Sequence, residues 1–196
     1  MDLYITGFGK FGDIIDNPSA TIIQDIANDL SLTEMQVIEV SVEGSLQTLN
    51  AMQSRALVRK KPCIFIHFGL HAEAKTIHLE KYAYNLADFR IPDERGQLIK
   101  QSLILSDCKS KYETKIPLEV ILEDLQGFDF TLSTDPGRFI CNLVYFHSLH
   151  WLEQNEKQLP DAHALFVHIP SFDRIPQYHQ VEAIKRLIRC LSTFRR

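Results

Sequence analysis

Apolar positions along this chain switch repeatedly between a period near two and a period near 3.6. Residues 2–6 (DLYIT) read as a short strand, closed by the glycine-punctuated loop GFGKFGD. NPSATIIQDIANDL follows at helical spacing, with Ile22, Ile23, Ile26 and Leu30 on one stripe. MQVIEVSV alternates like a strand, and GSLQTLNAMQSRALV returns to the helical period. CIFIHFGL and HALFVHIP are nearly continuous apolar runs, the pattern of strands buried on both faces. Residues 75–91 read as extended, RIPDERGQ as a turn, and 98–115 as polar with no dominant period. PLEVILEDLQ predicts a short helix, and FDFTLS a strand leading into the next helix. QYHQVEAIKRLIRCLSTF predicts an amphipathic helix with Val181, Ile184, Leu187, Ile188 and Leu191 on one side. Strands alternating with helices predict an α/β domain, with a largely parallel sheet covered by helices on both faces. No repeat, linker or low-complexity tract divides the chain, so residues 1–196 are expected to form one domain.

One stretch carries a candidate for chemistry. In STDPGRFICNLVYFHSLH, Asp135 suits a helix cap and Pro136 the first helical position. A helix beginning between Asp135 and Arg138 puts Cys141 in its first or second turn. Free amides and the positive end of the helix dipole favour a thiolate there. The alternative is a buried thiol acting as a small hydrophobe. His168, which ends the apolar run ALFVH, is the best candidate base for such a thiol; the alternative is a half-buried histidine bonded to backbone. The GFGKFG loop, the helix bearing Cys141 and His168 all fall beyond predicted strand ends, where sites of open α/β sheets gather. No acid is privileged by spacing as the partner of that histidine, and Glu80 reads equally as a surface ion pair with Lys81. Phe8 and Phe11 are either core plugs or aromatic walls of a pocket. His147 and His150 lack the spacing of a metal site, and His67 reads as a satisfied core residue.

Composition narrows the partners. A net charge of −4 supplies no electrostatic argument for nucleic acid or acidic lipid. The four cysteines are widely spaced and form no C-x-x-C pair, so neither a zinc ribbon nor a disulfide scaffold is expected. No apolar run is long enough to cross a bilayer, and MDLYITGFGKFG has no signal-peptide layout. A reducing, cytoplasmic compartment is the expectation.

ITGFGKFGDIIDNPS, LEKYAYNLADFRIPDERG, YETKIP, STDPGRFICN and ALFVHIP occur in that order. Together they resemble the signature blocks of the type I pyroglutamyl peptidases, cysteine peptidases of the cytosol. The resemblance implies a three-layer α/β/α sandwich with a largely parallel or mixed sheet, and removal of N-terminal pyroglutamate from peptides. It implies a triad of Glu80, Cys141 and His168. Arg90 matches an arginine near the reacting centre that helps the oxyanion. Phe8 and Phe11 match residues lining the lactam pocket, and Phe139 and Ile140 match residues flanking the nucleophile. No metal or organic cofactor is implied. Members often form oligomers, so a homo-oligomer is an expectation of the resemblance, although no unpaired apolar face in the sequence marks an interface. The chain departs from the family pattern at GLHAEA, where Leu70 replaces a common polar residue near the pocket, and at Gly9-Lys10. These departures keep two alternatives open: a thiol amidohydrolase for another substrate, and a non-catalytic peptide-binding protein.

Overall fold

The protein is described by a computed structural model covering residues 1–193. Its centre is a six-stranded sheet in the order β2-β1-β3-β8-β4-β7. β1 (Asp2–Phe8), β2 (Glu34–Ile38), β3 (Cys63–Leu70) and β8 (Ala162–Ile169) run parallel. β4 (Ile77–Glu80) lies antiparallel against β8, and β7 (Phe130–Ser133) runs parallel to β4. A two-stranded ribbon, β5 (Tyr82–Tyr84) with β6 (Lys111–Glu113), stands outside the sheet.

Helices cover both faces. α1 (Pro18–Asp29), α3 (Leu118–Asp124) and α5 (Gln177–Thr193) bury their apolar stripes against Leu3, Ile5, Ile64, Ile66, Leu165 and Val167. α2 (Val42–Arg59) and α4 (Ile140–Gln154) pack on the opposite face against Tyr4, Phe65, Ala164 and Phe166. Odd and even residues of one strand thus supply two separate cores, as the two-residue period of a strand requires. Each large aliphatic side chain fully buried this way contributes roughly 1.5–3 kcal/mol of transfer free energy. The sandwich expected from the resemblance is present, and its sheet is mixed.

Three local expectations are corrected. The strand read through MQVIEVSV stops at Ile38, because Ser41 turns the chain and caps α2 by accepting the amide of Gly44. Within the polar segment 98–115, residues 111–113 pair with β5 through backbone bonds that need no apolar pattern. The helix carrying Cys141 begins at Ile140, not near Pro136, and Asp135 does not cap it. Asp135 instead accepts the amide of Gly137, two residues on, and pairs with Arg138 at 2.6 Å. This local turn is completed by Gly137 at φ +75°, a conformation costly for a side-chain-bearing residue.

Candidate active site

α4 opens without a side-chain cap. Leu143 donates the first bond of its ladder, to Phe139 O at 3.1 Å, so the amides of Ile140, Cys141 and Asn142 precede the helical hydrogen bonds. Cys141 is the second residue of the helix and is half-buried. Its sulfur lies over Gly69 of β3, where a methyl group would come within 2.9 Å of Sγ.

Gly69 is directly opposite His168 in the β3–β8 register. His168 is 5% exposed, and its Nδ1 lies 2.7 Å from Oε1 of Glu80, which is fully buried. Glu80 therefore does not form the surface pair with Lys81; that lysine reaches Glu119 and Glu113 instead. Burial drives the His168 imidazole toward neutrality, but the neighbouring Cys141 sulfur and Glu80 carboxylate favour its protonated form, outweigh burial and push the value up to about 9. Tyr145 donates its hydroxyl to the backbone carbonyl of Glu80 at 2.9 Å, fixing the end of β4. Thiol, imidazole and carboxylate thus stand in sequence, with the thiol at an uncapped helix N-terminus. Such an array suits a sulfur nucleophile whose attack generates a negative oxygen beside backbone amides.

Aromatic rings gather around Phe139, the residue that precedes α4. Phe139 meets Phe89 edge-on at 4.7 Å, and Phe11 lies 6.5 Å from Phe139. Phe8 is a core residue, 6.2 Å from Phe166. The Ile140 side chain is likewise fully buried in the α2/α4 core, so only its backbone is placed toward Cys141. Leu70 ends β3, half-buried. A cleft of about 590 Å³ is lined by His168, His71, Asp88, Arg90, Lys100 and residues 135–138. Arg90 is exposed in this cleft.

Several contributors escape a reading of the sequence. Asn142 is fully buried; its side chain accepts the Tyr84 amide and donates to the carbonyls of Tyr84 and Leu86, tying the segment that leads to Arg90 onto α4. A lone amide among Ile140, Leu143, Val144, Tyr145 and Phe146 was a signal that could have singled it out. Asp93 is buried and accepts the amides of Val42, Arg95 and Gln97, shaping the loop after Arg90. His71 stands edge-on to His168 with ring centres 5.9 Å apart, and nothing in GLHAEA marks it. His67 is a core residue as expected, bonded to Thr6 and Ser148, and burial holds it down at about 3.

The family model described as pyroglutamyl peptidase matches residues 1–185. The pyrrolidone-carboxylate peptidase of Pyrococcus furiosus is 29% identical over 172 residues, which span 87% of this chain and 81% of that protein. The pyrrolidone-carboxylate peptidase of Enterococcus faecalis is 27% identical over 172 residues, 87% of this chain and 78% of that protein. The crystal structure of the pyrrolidone carboxyl peptidase of Fervidobacterium islandicum superposes with a TM-score of 0.85 at 26% identity, covering 100% of both chains. With its whole sandwich shared with that enzyme and the family pattern running from the first strand into the last helix, this chain belongs to the pyroglutamyl peptidase family of cysteine peptidases.

Proposed function

We propose that the chain removes N-terminal pyroglutamate from peptides, with Cys141 as nucleophile, His168 as base and then acid, and Glu80 holding the imidazole. The observation that carries this reading is the buried Glu80–His168 bond, with Cys141 at the uncapped start of α4 and its sulfur over Gly69, the residue paired with His168 across β3 and β8. His168 takes the thiol proton, and sulfur attacks the carbonyl that joins pyroglutamate to the next residue. The oxyanion forms against the first amides of α4, each strong donor of this kind contributing on the order of 3–4 kcal/mol. Arg90 adds positive charge from the cleft.

The imidazolium then gives its proton to the departing amine, and the C–N bond breaks to leave a pyroglutamyl thioester on Cys141. Water, deprotonated by the now neutral His168, attacks the thioester; the released thiolate recovers its proton and free pyroglutamate departs. Phe11 and Phe139 supply flat apolar walls suited to a small uncharged lactam, and Leu70 closes the end of β3. Four free cysteines among the described residues support a reducing, cytoplasmic setting. No helix among the described residues is long and apolar enough to cross a membrane.

The test is release of aminomethylcoumarin from its pyroglutamyl amide by wild type, Cys141→Ala and Cys141→Ser under reducing conditions. Both variants are expected to lose about 10³-fold or more in kcat. A folded wild type without activity, or an alanine variant that retains it, removes the reading.

A further inference from the structure

Because His168 must hand its proton to the departing amine, the residue after pyroglutamate begins within hydrogen-bond reach of that imidazole. The cleft into which His168 opens is therefore the leaving side of the site, and its walls are unevenly charged. Arg138 and Asp135 neutralise each other at 2.6 Å, and Arg138 also lies over the Tyr84 ring. Lys100 gives its ammonium to a backbone carbonyl, Phe89 O at 2.5 Å, and pairs with no carboxylate among the described residues. Arg90 is exposed and forms no ion pair with a described residue. Asp88 is the remaining carboxylate of the cleft. Two uncompensated cations thus face one carboxylate, in a chain whose net charge is −4.

His71 completes this side. Its amide donates to Ile169 O at 2.9 Å and its carbonyl accepts from Ala74 N at 3.0 Å, so the turn that presents its ring is held at both ends. The ring lines the same cleft as Arg90 and Lys100 and stands edge-on to His168. In either protonation state it offers at least one N–H donor.

Resting on the peptidase reading above, we propose that Arg90, Lys100 and His71 form a subsite that selects a carboxylate on the residue following pyroglutamate. The favoured substrates are then pyroglutamyl peptides with aspartate or glutamate at the second position. Charges at an open cleft discriminate modestly and through encounter as well as contact, so the preference for glutamate over lysine is expected to be about three- to tenfold at low salt. It should collapse at 1 M salt, where the screening length falls to about 3 Å.

The experiment compares kcat/KM for three matched peptides with glutamate, glutamine or lysine after pyroglutamate, at 20 mM and 1 M sodium chloride. Lys100→Gln, which removes the positive charge, should lower the glutamate-to-glutamine ratio. Asp88→Asn, which removes the opposing carboxylate, should raise it. Equal turnover of the glutamate and lysine peptides at low salt, or a preference indifferent to salt and to both substitutions, overturns the subsite. Failure to cleave even the glutamine peptide overturns the peptidase reading itself.

Discussion

Gly69→Ala adds one methyl group at the most crowded point of the site. The new carbon would lie 2.8 Å from Cζ of Phe166 and 2.9 Å from Sγ of Cys141, about half an ångström inside the 3.4 Å at which ordinary contact begins. One of the two neighbours has to yield. Phe166 is fully buried and hemmed in by the rings of Phe8, Tyr145, His67 and His168, with centroid separations of 4.8–6.2 Å. Cys141 has a short side chain and is half-buried, so its sulfur gives way and rotates off the His168 imidazole. Overpacking of this kind costs about 1–3 kcal/mol of stability. Misplacing a reacting atom by up to an ångström costs about 10–100-fold in rate.

The expected result is therefore a folded protein with kcat down by that factor and KM little changed, because the atoms nearest the added methyl belong to Phe166 and Cys141 and not to Phe11 or Phe139. Steady-state kinetics on the pyroglutamyl coumarin amide, thermal unfolding, and the rate of Cys141 alkylation by iodoacetamide measure the three quantities separately. Alkylation should slow along with kcat, since both need the thiolate beside its imidazole. Wild-type kcat within twofold, with unchanged alkylation, would refute the claim that Gly69 is empty in order to seat the sulfur.

Three further outcomes follow from the same geometry. His168 is raised from 6.5 to about 9, so the proton it holds is present at neutral pH and lost as pH rises through about 9. The alkaline limb of kcat/KM should fall there, and Glu80→Gln should move it to lower pH; an unmoved limb contradicts the Glu80 assignment. The stability this proton contributes has the same sign, being full below 6.5 and lost as pH rises through about 9. His67 has the opposite sign: held down at about 3, it stays neutral while the unfolded chain binds a proton below 6.5. Urea midpoints should therefore fall as pH drops from 6.5 toward 3, and His67→Gln should flatten that slope; an equal slope in the variant would assign the acid loss elsewhere. Asn142→Ala leaves the Tyr84 amide and the Tyr84 and Leu86 carbonyls without their partner, at a cost of about 2–4 kcal/mol in urea denaturation. A loss below 1 kcal/mol would mean that water replaces the amide.

The layers were legible in the chain because each rests on a period: alternation or continuous apolar runs for β1, β3 and β8, and 3.6-residue stripes for α1 and α5. Cys141 and His168 stood out in the sequence for separate reasons: the first follows a helix-start pattern and a glycine, and the second ends a strong apolar run. The start of α4 was misread for a physical reason. Asp135 and Pro136 have the residue types of a cap and a first helical position, but Asp135 satisfies Gly137 and Arg138 within its own turn. The helix begins four residues later without a cap, which is the condition that leaves its first amides for another partner.

Glu80 shows most clearly where a sequence reading stops. Nothing around it distinguishes it from any other acid, and its bond to His168 spans 88 residues. What selects it is strand direction. β4 enters the sheet antiparallel to β8, with His78 opposite His168 and Glu80 opposite Phe166. Residues two apart on a strand share a face, so Glu80 lies on the same face as His168 and diagonally across from it, within reach of its imidazole. A one-residue slip would turn Glu80 toward the α1/α5 layer and put Leu79 in its place. Leu79 and Val167 occupy that layer together. The register that buries these two apolar residues on one side is thus the register that delivers the carboxylate on the other. The strength of hydrophobic packing behind β4, and not any property of Glu80, positions the third member of the array.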